Sequence, residues 1–132
     1  MVEGTLPEER FAHALESLAD DKELLAETAS VCIRAFAQSG ERLAKALQDS
    51  IARDAEIAEE AHKLIFGWDL FAPRGQSHMA RNLEDAAVSG NWARVEPLLR
   101  AFIEQLASVQ AELNQLLGRY ECAQQRPTEF PR

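Results

Sequence analysis

The chain has 132 residues, enough for one domain with a modest core. Its 14 basic and 22 acidic residues give a net charge of −8, and no dense basic cluster offsets it, which argues against nucleic acid or an anionic membrane as partner. No stretch has the apolar length of a membrane span, and Met1-Val-Glu-Gly-Thr5 has neither the basic start nor the apolar run of a signal peptide, so a cytoplasmic location is expected.

Thr5-Leu-Pro-Glu8 forms a capping box with proline in the first turn, so a short helix is expected to begin there. Phe11, Leu15 and Leu18 give it an apolar seam. Asp20-Asp21 ends that segment and places negative charge at the start of the next helix, where the dipole favours it. From Lys22, the positions Leu24, Leu25, Val31, Cys32, Ala35 and Phe36 keep the helical period, with Thr28 as the polar member of the seam. Ser39-Gly40 marks a break or bend before the pattern resumes at Leu43, Ala46, Leu47 and Ile51, giving one long arm in two pieces that ends near Ala52-Arg53. Asp54 then suits the cap of a helix reaching Phe71, which Ala72-Pro73-Arg74-Gly75 stops. Ser77 to Val88 is the next helix, with Met79, Ala80, Leu83 and Ala87 inward, and Ser89-Gly90-Asn91 ends it. The last helix has the longest pattern, from Trp92 through Val95, Leu99, Phe102, Leu106, Val109, Leu113 and Leu116 to Tyr120. Beyond Glu121 the residues 122–132 contain two prolines and no apolar period, and a flexible tail is expected there. No strand pattern appears. The fold class is therefore all-α, an antiparallel four-helix bundle with a short extra N-terminal helix, spanning 1–121 as a single domain.

The stretch from Glu59 to Trp68 carries the one candidate site. Ala58, Ala61, Leu64, Ile65, Trp68 and Phe71 make an apolar stripe. At about 100° per residue, His62 falls at the wet edge of that stripe. Ile65 and Phe66 flank it one turn on, and Asp69 stacks two turns on. A lone imidazole there is placed to meet another protein.

Ala61-His62-Lys63-Leu64 resembles the Ala-His-x-Leu core of histidine-containing phosphotransfer (HPt) domains, the carriers of bacterial phosphorelays. The likeness extends from about Phe11 to Leu106. Leu83-Glu84 stands where that family has a Leu-Glu pair, Glu84 to Trp92 looks like its helix end and turn, and Ala14 to Glu27 looks like its opening. The resemblance implies two-component signal transduction. In it, His62 would take a phosphoryl group from an aspartyl phosphate on a receiver domain and hand it to a response regulator. It also implies docking around Lys63, Ile65, Phe66 and Asp69, no cofactor and no metal of the carrier's own. Receiver domains and a hybrid sensor kinase are the implied partners. Such a protein is a phosphohistidine carrier rather than a turnover enzyme. A neutral imidazole is a competent nucleophile near neutral pH, and phosphoryl transfer otherwise needs mainly positioning and charge neutralisation.

Two departures stand out. Where the family has Lys and Gly one turn after the histidine, this chain has Ile65 and Phe66. Ile65 cannot neutralise phosphoryl oxygens, Lys63 projects about 100° away, and the Phe66 ring is placed to crowd the imidazole. Two readings follow: a specialised carrier in which Ile65 and Phe66 form an apolar docking patch, or a degenerate bundle that binds a signalling partner without transfer. A monomer is expected, with a dimer through the last helix as the alternative.

Other constellations carry less. Glu59-x-x-His62 has the spacing of di-iron carboxylate bundles, but no second Glu-x-x-His exists in the chain. His13 and His78 receive no role. Glu8-Glu9, Glu59-Glu60 and Glu84-Asp85 read as solvated helix faces. Cys32 and Cys122 lack metal or redox spacing and read as separate reduced thiols, with a bridge between them left open.

Overall fold

A computed structural model describes residues 10–48 and 53–128, with side chains for 10–48 and 54–119. The described residues form five helices and no strand: α1 (Ala12–Ser17), α2 (Lys22–Gln48), α3 (Arg53–Phe71), α4 (Met79–Ser89) and α5 (Trp92–Thr128). None is long and apolar enough to cross a membrane. The capping box at Thr5 and the join between α2 and α3 lie outside the described residues.

Local chemistry explains most boundaries. Asp21 opens α2, its Oδ1 accepting the Leu24 N–H at 3.0 Å, as an N-cap does. The turn before it passes through Ala19 and Asp20 at φ 61° and 60°, and the Asp20 N–H reaches back to the Leu15 carbonyl at 2.8 Å. Gly90 ends α4 at φ 74°, a left-handed position that glycine takes without strain. Asp54 does not cap α3 but lies in its first turn, beside Glu56, where its charge still complements the helix dipole.

Three expectations need correction. The long arm is not in two pieces, because α2 runs unbroken through Ser39 and Gly40. Ser39 is buried and donates a hydrogen bond across to α3, so its polar group is satisfied there and does not compete with the helix backbone. Leu24 and Val31 keep the helical period yet are exposed, Val31 by 61%; they lie at the outer edges of an apolar face whose centre is Leu25, Ala29, Cys32 and Phe36. Finally, α5 continues past Glu121 to Thr128. Residues 121–126 lack an apolar period but are mostly good helix formers, and Pro127 falls only at the end, where few backbone donors depend on it.

The helices close around one core. α2 packs on α3 and α5, α4 packs on the same two, and α1 lies across α2 and α3. At the centre stands Trp68, fully buried. Its ring meets Phe102 of α5 edge-on at 4.9 Å and Phe36 of α2 at 6.1 Å. Its Nε1–H donates to the Gln76 carbonyl at 2.8 Å, so one side chain joins α3 to two helices and to the loop before α4. Gly67 lets α2 approach α3 closely: a Cβ there would lie 3.0 Å from Cys32 Sγ. That thiol is free, and burial pushes its pKa up to about 11, so it is un-ionised and unreactive near neutral pH. Cys122 lies beyond the described side chains.

At the far end of α3, Arg10 ties the start of the described chain to α3 and α5. Its guanidinium donates to the Phe71 carbonyl at 2.7 Å, pairs with Glu112 of α5 at 3.2 Å, and covers the Phe11 ring at 4.5 Å. The cation thus meets the negative end of the helix that carries His62.

Candidate functional site

His62 projects from the middle of α3 with 72% of its side chain exposed. The residues before and after it explain this. Ala61 and Leu64 are buried in the core, so the intervening positions must face outward. The ring is therefore not covered by Phe66, which is itself 69% exposed and points away from the core.

Among the described residues, the imidazole has one hydrogen-bond partner. His62 Nδ1 lies 3.0 Å from Oε2 of Glu84 on α4. A carboxylate only accepts, so in the neutral ring Nδ1 is the nitrogen carrying hydrogen and Nε2 keeps its lone pair. The arrangement orients the ring on its helix and leaves Nε2 as the nitrogen not engaged by Glu84. The Glu84 side chain is 26% exposed, so it is not the freely solvated group expected of Glu84-Asp85. Two turns further along α3, Asp69 pairs with Arg81 at 2.8 Å, one turn earlier in α4. These two contacts bridge α3 and α4 along one seam, beside the apolar packing that joins the two helices.

The other anticipated site residues divide. Lys63 is half exposed, but its ammonium is drawn to Glu60 at 3.4 Å, on the α2 side of the helix. Ile65 is partly buried and packs against the core. Phe66 stands free in solvent, and Asp69 is committed to Arg81. Ala58, Glu59, His62, Lys63 and Glu84 together line a shallow depression between α3 and α4.

Glu60 was expected on a solvated face and is instead buried, at 3% exposure. It accepts hydrogen bonds from Ser39 at 2.9 Å, Arg42 at 3.2 Å and Lys63 at 3.4 Å. Burial by itself pushes its carboxyl up, but the hydrogen bonds from Ser39, Lys63 and Arg42, with the Lys63 charge, outweigh it and hold the pKa below its ordinary 4.5. The stabilisation is thus fully present above pH 4.5 and is lost as pH falls through the depressed folded value. Glu60→Gln should lower stability by about 1.5–3 kcal/mol at pH 7, the worth of a hydrogen bond to a charged acceptor. The gap between variant and wild type should close in strong acid. Urea titrations at pH 7 and pH 3 measure this; a gap that is the same at both would sink the assignment.

Among the described residues, no three His, Cys, Asp or Glu side chains converge to hold a metal ion, and His13 and His78 are exposed. Glu84, the partner of His62, and Glu60, the partner of Lys63, stand outside the site residues anticipated from the sequence. The Leu83-Glu84 motif was the available signal for Glu84; for Glu60 the signal was its place one turn before the buried Leu64. This sequence matches no protein-family model, and no curated protein or solved structure was found to be similar to it.

Proposed function

We propose that this chain is a phosphorelay carrier, an antiparallel four-helix bundle of the HPt kind that acts in the cytoplasm as a monomer. The observation that carries the reading is the exposed His62 ring with Nδ1 engaged by Glu84 and Nε2 left as nucleophile. The resemblance of Ala61-His62-Lys63-Leu64 and Leu83-Glu84 to that family supports it.

In this mechanism His62 Nε2 attacks the phosphorus of a receiver's aspartyl phosphate. The N–P bond forms as the P–O bond to aspartate breaks, and the carboxylate leaves with the electron pair. No proton need move. Nδ1 keeps its hydrogen, the ring gains positive charge, and the Glu84 carboxylate faces that charge. Reversal onto the aspartate of a second receiver regenerates neutral His62. The chain needs no cofactor for this, since positioning and the partner's own cations meet most of the demand.

A second reading has a specific observation in its favour. Lys63 is tied to Glu60, and Ile65 occupies the position of the family's lysine, so α3 presents no uncommitted described cation beside His62. A bundle of this kind could bind receivers or a kinase without transfer. The two are separated by incubating the protein with pre-phosphorylated receivers and mapping acid-labile label by mass spectrometry. Label on His62 is expected. Stable receiver binding with no label on His62 would establish the binding-only reading.

A further inference from the structure

Two large apolar side chains stand exposed on either side of His62, and they come from different helices. Phe66 lies one turn after it on α3, at 69% exposure, and Val88 lies one turn after Glu84 on α4, at 72%. Because α4 runs antiparallel with Glu84 opposite His62, Val88 falls beside the turn of α3 that precedes the histidine. The nucleophile therefore sits between two apolar points. Ile65 is not one of them, because it packs inward.

The charges on this face are unbalanced. Its cations, Lys63 and Arg81, are committed to Glu60 and Asp69. Glu59, which shares the depression with His62, and Asp85, next to Glu84 in α4, are exposed and make no ion pair or hydrogen bond among the described residues, which leaves uncompensated negative charge on this face. A phosphoryl group on Nε2 would add to it, so the neutralising cation has to come from the partner.

Building on the carrier reading, we infer that the docking face is a two-helix surface anchored by Phe66 and Val88. Its partner is a receiver domain whose contacting surface is apolar where it meets those two residues and basic opposite Glu59 and Asp85. An exposed aromatic beside the reacting atom is the kind of side chain on which binding energy concentrates. Unpaired rim carboxylates select the sign of the partner and speed encounter.

The test measures receiver affinity for the full chain and its variants, with phosphoramidate as a small donor that labels wild-type His62 without docking. Phe66→Ala and Val88→Asp should each weaken binding about tenfold or more. The double reversal Glu59→Lys with Asp85→Lys should weaken it further and abolish its salt dependence. Val31→Asp removes an equally exposed apolar side chain from α2 and should leave affinity unchanged. All five positions are exposed, so circular dichroism should report one fold throughout. Equal affinity of wild type, Phe66→Ala and Val88→Asp, an equal loss in Val31→Asp, or no receiver binding to wild type would overturn the face. Failure of both phosphoramidate and receivers to label His62, with binding still lost in Phe66→Ala, would overturn the carrier reading and support the face.

Discussion

His62→Gln is expected to lose phosphoryl transfer from receivers entirely while keeping the fold. The amide of glutamine is no nucleophile, and among the described residues no second histidine lies near the depression that His62 lines. The ring is mostly exposed and its one polar contact is with Glu84, so the substitution should change stability by less than about 0.5 kcal/mol. Thermal melting and a label time course, run side by side, check both halves. Label that persists in His62→Gln would place the acceptor elsewhere.

Glu84 supplies a second arm of the same prediction. In the proposed transfer it would act through His62, as a positioning residue, by fixing the hydrogen on Nδ1 and facing the charge that the ring gains. A hydrogen bond to a charged group contributes about 1.5–3 kcal/mol, which corresponds to roughly a ten- to hundredfold change in rate. Glu84→Ala should therefore slow transfer by about that factor at saturating receiver, with affinity for the receiver little altered. Glu84→Gln, whose amide oxygen still accepts from Nδ1, should recover part of the loss. A merely structural role would instead show as equal loss in both variants together with a lower melting point.

The largest effect on stability is expected at Trp68. Trp68→Ala removes a fully buried indole that touches Phe36 and Phe102 and leaves the Gln76 carbonyl without its donor. Truncations of this kind cost about 3–5 kcal/mol, a large share of the roughly 5–15 kcal/mol that holds a small domain folded. Trp68→Phe keeps much of the ring contact and loses the hydrogen bond, so its cost should be nearer 1–2 kcal/mol. Urea midpoints rank the three proteins. A Trp68→Ala variant within about 1 kcal/mol of wild type would mean that α3 is not held through this ring.

Helical periodicity, several helix ends and the outward position of His62 were legible in the order of residues, because they depend on neighbours one or two turns away. Ala61 and Leu64 must face the core, so His62 between them must not. Gly90 and Asp21 announced their turns through local backbone chemistry. The α2 seam shows the limit of the same logic: the period identifies a face, but the width of that face depends on which helices cover it, and nothing covers Val31.

What periodicity alone left undecided was each contact between groups distant in sequence. Glu60 and Glu59 are adjacent acids, and only the approach of α2, with Ser39 and Arg42, buries one of them and draws Lys63 to it. Ile65 and Phe66 are adjacent apolar residues, and only the placement of α4 beside α3 makes one a packing residue and leaves the other exposed. His62 and Glu84 stand on different helices, and the packing of α4 on α3 brings them to 3.0 Å. The sequence by itself thus determined the helices and the presence of an outward histidine, through interactions within one helix. The tertiary structure decided which ring nitrogen is free and which charges are committed, because burial and pairing are properties of the helix that packs opposite.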